Sequence, residues 1–419
     1  MKRILTAVCL CAVLLGGCGA VGNDAKVMTE TETEISKETA IDGDAVEKNL
    51  DAVTKKDDSE TATSPEATED VDGEASERET EEAAEKEAEV KPEEAVEEVK
   101  EEIDLQVVKP NELGEIMIVM YHSLRDKEGY MIRSVENFKQ DLQTFYDKGY
   151  RLISMEDYLN NNINVEAGYT PVVFTFDDGH WTNFNLIEDP NVEAVVNADG
   201  EKVLDPENMI IDPESVVGIM KAFYEEHEDF GLEGIFYLNG GEKFGKDGFS
   251  DYKVKKLIEL GMEVGNHTYG HEHLNEQSRS NVEKTIGKNA KQINDIVPEV
   301  TLDTLALPFG QRPKESYLDS IYSGEFEGYK YQHRGILNVG WKPEKPVVHT
   351  KFNWKSINRT QAGDGEFQLK HWLEYFDNNP GQRYISDGDA ETITIKEKHE
   401  KYLNKEATDL EIRTYKLEE

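Results

Sequence analysis

From residue 105 onward, short apolar runs alternate with longer stretches in which apolar residues recur every three or four positions. The runs at 116–120, 172–176, 234–238 and 305–307 read as buried strands, being too short for helices and rich in β-branched and aromatic residues. The stretches 135–148, 213–228, 252–260 and 280–296 have the period of amphipathic helices. That alternation predicts an α/β fold of parallel strands joined by crossover helices over 105–380. Past Pro380 the pattern changes to strict alternation at 392–396 and 410–415, which predicts a small C-terminal β appendage over 381–419. It either packs on the main body or touches a ligand, and packing is the expectation.

The first hundred residues follow a different pattern. Met1-Lys2-Arg3, an apolar run and then Leu15-Gly16-Gly17-Cys18 read as a secretory leader over 1–17, with Cys18 as the lipidated first residue of the mature chain. The run falls short of the roughly 20 residues that span a bilayer, so removal is the expectation and an uncleaved anchor the alternative. Cys9 and Cys11 leave with the leader, which excludes a cysteine nucleophile and a cysteine-ligated zinc site. Residues 18–104 are a predicted disordered tether: from Gly19 to Asp104 there are 31 acidic and 9 basic residues, about half of the chain's net charge of −41. A flexible segment of that length spans roughly 50 Å, and self-repulsion lengthens it. The rest of the chain is acidic as well, which argues against nucleic acid as a partner and favours a neutral or cationic one.

Chemistry concentrates at two places. Pro171-Val172-Val173-Phe174-Thr175-Phe176-Asp177-Asp178-Gly179 carries two adjacent carboxylates to the end of a buried strand, where active sites of β/α folds collect. About ninety residues on, Asn266-His267-Thr268-Tyr269-Gly270-His271 sets two histidines four apart, a spacing that lets both imidazoles meet one cation. Taken singly, His267 and His271 read equally well as solvated or capping loop residues, and Asp177 and Asp178 as turn residues. Both motifs, in this order and each ending an apolar segment, weigh against that reading.

With Thr175-Phe176-Asp177-Asp178-Gly179 and His267-Thr268-Tyr269-Gly270-His271, the chain resembles the polysaccharide deacetylases, carbohydrate esterase family 4 with the NodB-homology domain. Ile116-Met117-Ile118-Val119-Met120-Tyr121-His122 resembles the opening strand, and Leu307-Pro308-Phe309-Gly310 the third motif; the likeness covers roughly 115–375. It implies a distorted (β/α)7 barrel. It also implies that Asp178, His267 and His271 hold a divalent cation, zinc first, with cobalt or another divalent ion as a substitute. Asp177 would then be the general base toward a water acidified by the cation. The backbone N–H near Phe309 would donate to the oxyanion, a contribution on the order of 3–4 kcal/mol per donor. The implied partner is an N-acetylated polysaccharide of the peptidoglycan or poly-N-acetylglucosamine type, hydrolysed by a lipid-anchored, extracytoplasmic monomer.

The departures are specific. The family's arginine three residues before the third-motif aromatic is replaced by Ala306, leaving Arg312 and Arg359 as candidates to orient Asp177 or as plain structural arginines. The acid that protonates the leaving nitrogen has no clear motif; His349 in Val347-Val348-His349 is the nearest likeness, with a solvated strand-end histidine as the alternative, and His122 is placed at the cleft mouth or in a structural role. Residues 191–212 form an insertion expected to cap one side of the cleft or to be disordered. Trp181, Tyr269 and Trp341 either stack on sugar rings or pack at the rim. Two other functions use the same site: a weak or inactive glycan-binding lipoprotein that lost turnover with the arginine, and an O-acetyl esterase acting on acetylated xylan.

Overall fold

The computed structural model describes residues 103–193, 195–200 and 202–418. The leader, Cys18 and nearly all of the expected tether lie outside the described residues. Among the described residues, no helix is long and apolar enough to cross a membrane.

The alternation of the sequence becomes a parallel sheet. Its strands are Met117–Tyr121 (β1), Tyr150–Leu152 (β2), Thr170–Asp178 (β3), Ile235–Leu238 (β4), Glu263–Asn266 (β5), Thr304–Ala306 (β6), Gly335–Leu337 (β7) and Thr360–Gln361 (β8). Seven of them follow the order β7-β6-β5-β4-β3-β1-β8, while β2 pairs with the start of β3. The sheet curls into a half-barrel, and a parallel bridge between Leu337 and Ile357 brings its two edges together. The helices Val135–Asp147 (α1), Met155–Asn160 (α2), Val216–Glu226 (α3), Ser250–Glu259 (α4), Arg279–Ile296 (α5) and Leu369–Asn378 (α6) supply the connections. Four of these begin directly after a serine: the hydroxyls of Ser134, Ser154, Ser215 and Ser278 accept the N–H of Asn137, Asp157, Gly218 and Asn281, satisfying a donor that the helix leaves free.

The pleat divides the strand residues into two apolar sets. Met117, Val119, Tyr121, Phe174, Phe176 and Phe236 pack outward with Phe138 and Phe145 of α1, and Phe176 stacks on Phe236 with ring centroids 4.7 Å apart. Ile118, Val173, Ile235, Tyr237, Ala306, Leu337 and Ile357 form the inner set. On β3, Thr175 and Asp177 continue the inner series from Val173, so the pleat itself sends Asp177 into the interior. Strands β2, β7 and β8 escape a reading of the pattern, because two or three buried residues show no period.

The C-terminal strands Thr392–Lys396 (β9) and Glu411–Tyr415 (β10) pair in parallel register. Ile393, Ile395 and Leu403 pack with Leu113 and Val348, so this appendage closes the base of the fold. The insertion folds as two antiparallel ribbons, Leu186–Glu188 with Met209–Ile211 and Val195–Val196 with Lys202–Val203. The Tyr252 hydroxyl of α4 donates to Glu207 at 3.4 Å, and Met209 and Ile211 pack against the outer apolar cluster.

At the base, the Glu263 carboxylate accepts the N–H groups of Met155 and Glu156, 2.7 and 3.0 Å away, and so caps α2 from β5. Burial pushes its carboxyl up to about 7, and the neighbouring Glu233 adds repulsion. A carboxyl raised in the folded state contributes stability that is present below its ordinary range and is lost as pH rises through about 7. The melting temperature should therefore fall from about pH 5 to about pH 8, and Glu263→Gln should flatten that fall. Parallel profiles for the two proteins would show that Glu263 does not carry it.

Candidate metal centre

At the C-terminal end of β3 the two carboxylates have different surroundings. Asp177 is buried with Arg359, the residue just before β8. The two Nη atoms of Arg359 donate to the two carboxylate oxygens at 2.7 and 2.8 Å, its Nη1 also reaches the Thr175 hydroxyl at 3.1 Å, and its Nε donates to the Asn338 carbonyl at 2.8 Å. Burial alone would raise the Asp177 carboxyl, but the guanidinium outweighs it and holds the group below the ordinary carboxylate range. Asp177 is therefore a fixed anion with both oxygens oriented.

Successive strand residues point to opposite faces, so Asp178 would turn away from Asp177 if β3 continued regularly. It does not, because Asp178 has φ +76°, a left-handed conformation that aspartate tolerates better than most residues. The turn aims its Oδ1 at His267 Nε2 and His271 Nε2, 3.5 and 3.4 Å away, with Asn239 donating to the same oxygen at 3.3 Å. Thr268, His271 and Phe309 have positive φ as well. Four such non-glycine residues in one cluster mark a site whose geometry the surrounding fold imposes.

The donor set fits a metal. His267 Nδ1–H donates to the Ala306 carbonyl at 2.9 Å, which leaves the Nε2 lone pair facing the site, and that buried nitrogen has no hydrogen-bond partner. Around a cation about 2.0–2.2 Å from each donor, neighbouring tetrahedral ligand atoms sit roughly 3.3–3.6 Å apart, which matches the separations of Asp178 Oδ1 from both histidines. Burial pushes His271 down to about 4 and keeps it neutral. Burial also opposes charging of His267, yet the neighbouring Asp177 and Asp178 raise it above its ordinary value.

The other candidates separate clearly. Phe309 packs its ring edge against His271 at 4.5 Å and its face on His273 at 4.0 Å, so its backbone lies beside the cluster. Arg312 does not reach Asp177; it donates to Asn338 Oδ1 at 2.7 Å, on the same residue whose carbonyl holds Arg359. His349 is displaced from the site altogether. Its ring stacks on Tyr402, its Nδ1 accepts the Lys351 N–H at 2.9 Å, and its backbone bridges to Leu403, all at the base with the appendage. The Val347-Val348 run that suggested a motif is there to pack, with Val348 in the basal apolar cluster. His122 instead lies at the mouth, its Nε2 3.9 Å from Asp177 Oδ2, placed directly by the end of β1 and by Asn183 Nδ2 donating to its carbonyl at 2.6 Å. The mouth is the first of the two places that the sequence left open for it. Tyr269 packs on Gly240 under Lys288, while Trp181 and Trp341 are exposed.

Residues 212–323 match the polysaccharide deacetylase family model, a stretch that contains His267, His271 and Phe309 and begins after the carboxylate pair. Over that stretch the chain is similar to the polysaccharide deacetylases. Among solved structures it is similar to the Streptococcus pyogenes deacetylase PplD in complex with acetate, at 15% identity over 62% of this chain and 97% of that one, with a TM-score of 0.43. It is also similar to IcaB from Ammonifex degensii, at 14% identity over 64% and 97% with a TM-score of 0.42, and to a CE4 family pseudoenzyme from Bacillus anthracis, at 20% identity over 24% and 33% with a TM-score of 0.20. No curated protein matches the chain.

Removing one partner of a buried ion pair leaves the other charge uncompensated, which costs about 3–5 kcal/mol. Arg359→Ala should lose that much in urea unfolding, and adding Asp177→Ala should recover part of it. Simple additivity of the two losses would mean that the pair is not coupled as its geometry indicates.

Proposed function

We propose that this protein removes acetyl groups from the amide nitrogens of an extracellular polysaccharide of the peptidoglycan or poly-N-acetylglucosamine type, using a divalent cation, most simply zinc. The observation that carries this reading is the convergence of Asp178, His267 and His271 beside an Asp177 that Arg359 holds ionised and oriented. Asp178, His267 and His271 would hold the cation. When bound, the cation supplies Lewis-acid polarisation of the acetyl carbonyl and makes water more acidic. Asp177 takes the proton from the attacking water, and its fixed geometry keeps that transfer short. His122, half-buried at the mouth, is the nearest remaining group able to pass a proton to the departing nitrogen, in place of His349. A backbone N–H at Phe309 would donate to the oxyanion. Acetate leaves and the sugar keeps a free amine.

We place this chemistry outside the cytoplasm, with Cys18 as the lipid attachment, on the strength of the leader sequence. The experiment is acetate release by the full-length protein, loaded with zinc or cobalt and offered peptidoglycan, poly-N-acetylglucosamine oligomers and acetylated xylan, with a chelated control. Chelator-sensitive release from an amide-linked polymer is expected, and Asp177→Asn should lower kcat by about a hundredfold or more. His122→Ala should lower kcat more than it changes KM. Release from xylan alone would move the reading to an O-acetyl esterase, and glycan binding without release to an inactive binding protein.

A further inference from the structure

The loops that follow β7 and β8 leave the parallel sheet at the same end as the carboxylate pair, and each carries a large exposed aromatic residue. Trp341 is 64% and Phe367 47% exposed. Exposed aromatics on surface loops are ordinary, but these two are held in place. The indole N–H of Trp372 in α6 lies 3.0 Å from the Trp341 carbonyl and 3.2 Å from the Phe367 carbonyl, so one donor fastens both loops. Phe367 has φ +59°, a conformation a bulky side chain adopts only when its surroundings impose it. The imposition is visible: Arg133 donates to Asp364 at 3.0 Å while gripping the buried Asp141 at 2.9 and 2.6 Å, and the Gly365 N–H donates to Gln368 Oε1 at 2.7 Å.

The other loop lies flat against the reaction centre. The Lys342 N–H donates to the Arg359 carbonyl at 3.2 Å, and a Cβ on Gly340 would fall 2.0 Å from that same oxygen, so the position requires glycine. Trp341 thus stands one residue from a peptide packed on the backbone of the arginine that orients Asp177.

We propose that Trp341 and Phe367 form a pre-organised stacking platform for the sugar rings of a glycan chain, extending from the residue that carries the acetyl group. The proposal rests on the deacetylase reading and deepens it to a polymer held at several rings. Sugar rings present flat C–H faces edged by hydroxyls, which suits an aromatic face with polar neighbours. The adjacent Asp364 and Glu366 disfavour a polyanion and suit a neutral glycan or its cationic product. Fixing both loops in advance removes most of the ordering cost of binding.

The test uses the full-length, metal-loaded protein with β-linked N-acetylglucosamine hexamer and dimer. Trp341→Ala and Phe367→Ala should each reduce the ratio of kcat/KM for hexamer over dimer about tenfold, the effect of one truncated aromatic anchor. The change should appear in KM, with the melting temperature that of the unsubstituted protein. Trp372→Phe, which lacks the indole N–H, should move the ratio the same way. Equal losses on both lengths, or none, overturn the platform. Calorimetry with Asp177→Asn separates the two readings. Hexamer binding that the alanine substitutions weaken, without acetate release by the unsubstituted protein, keeps the platform and sinks deacetylation; binding they leave unchanged, or no hexamer binding at all, overturns the platform, and in the latter case the aromatics are left to a protein partner.

Discussion

The Arg359–Asp177 pair is the interaction on which the rest of this site depends. Neither group could be so deeply buried alone, since desolvating a single charge costs several kcal/mol that only a well-placed counter-charge and further hydrogen bonds offset. Arg359 meets that condition with four hydrogen bonds, to both Asp177 oxygens, to Thr175 and to the Asn338 carbonyl. Those partners lie on β3 and on the loop after β7, while Arg359 itself leads into β8. The pair therefore ties the centre of the sheet to both of its edges. It also fixes register: a slip of β3 by one residue would turn Phe176 inward and leave the guanidinium facing an apolar ring.

Two adjacent carboxylates acquire different tasks from this arrangement. The regular pleat delivers Asp177 to the guanidinium, and the left-handed turn at Asp178 breaks the pleat to deliver the second carboxylate to the histidines. Residues held in such conformations cost on the order of 1–3 kcal/mol each. They persist here because their neighbours are rigid: β3 is buried along eight of its nine residues, and His267 is fixed through the Ala306 carbonyl.

Much of this was legible in the sequence, for identifiable reasons. The strands β1, β3, β4 and β6 and the helices α1, α3, α4 and α5 carry an apolar run or a clear period, and the carboxylate and histidine motifs are local, so spacing alone brings their members close. Arg359 was legible only as one candidate among two, because the contact joins residues 182 positions apart and no local pattern records it. His349 misled because a short β-branched run ending in histidine looks the same whether it leads to a cleft or packs under an appendage. The two-residue strand β8 was hidden for the opposite reason: its position follows from the closure of the sheet, which only the whole fold determines.

The same closure accounts for the alanine at position 306. Ala306 is fully buried among the inner residues with Tyr237 and Leu337, and the Arg359 guanidinium lies over the Tyr237 ring, 5.8 Å from its centroid. The interior at this level is close-packed. The backbone carbonyl of Ala306 holds His267 through its Nδ1 at 2.9 Å. In this chain the charge that holds Asp177 ionised comes from the approach to β8, through Arg359.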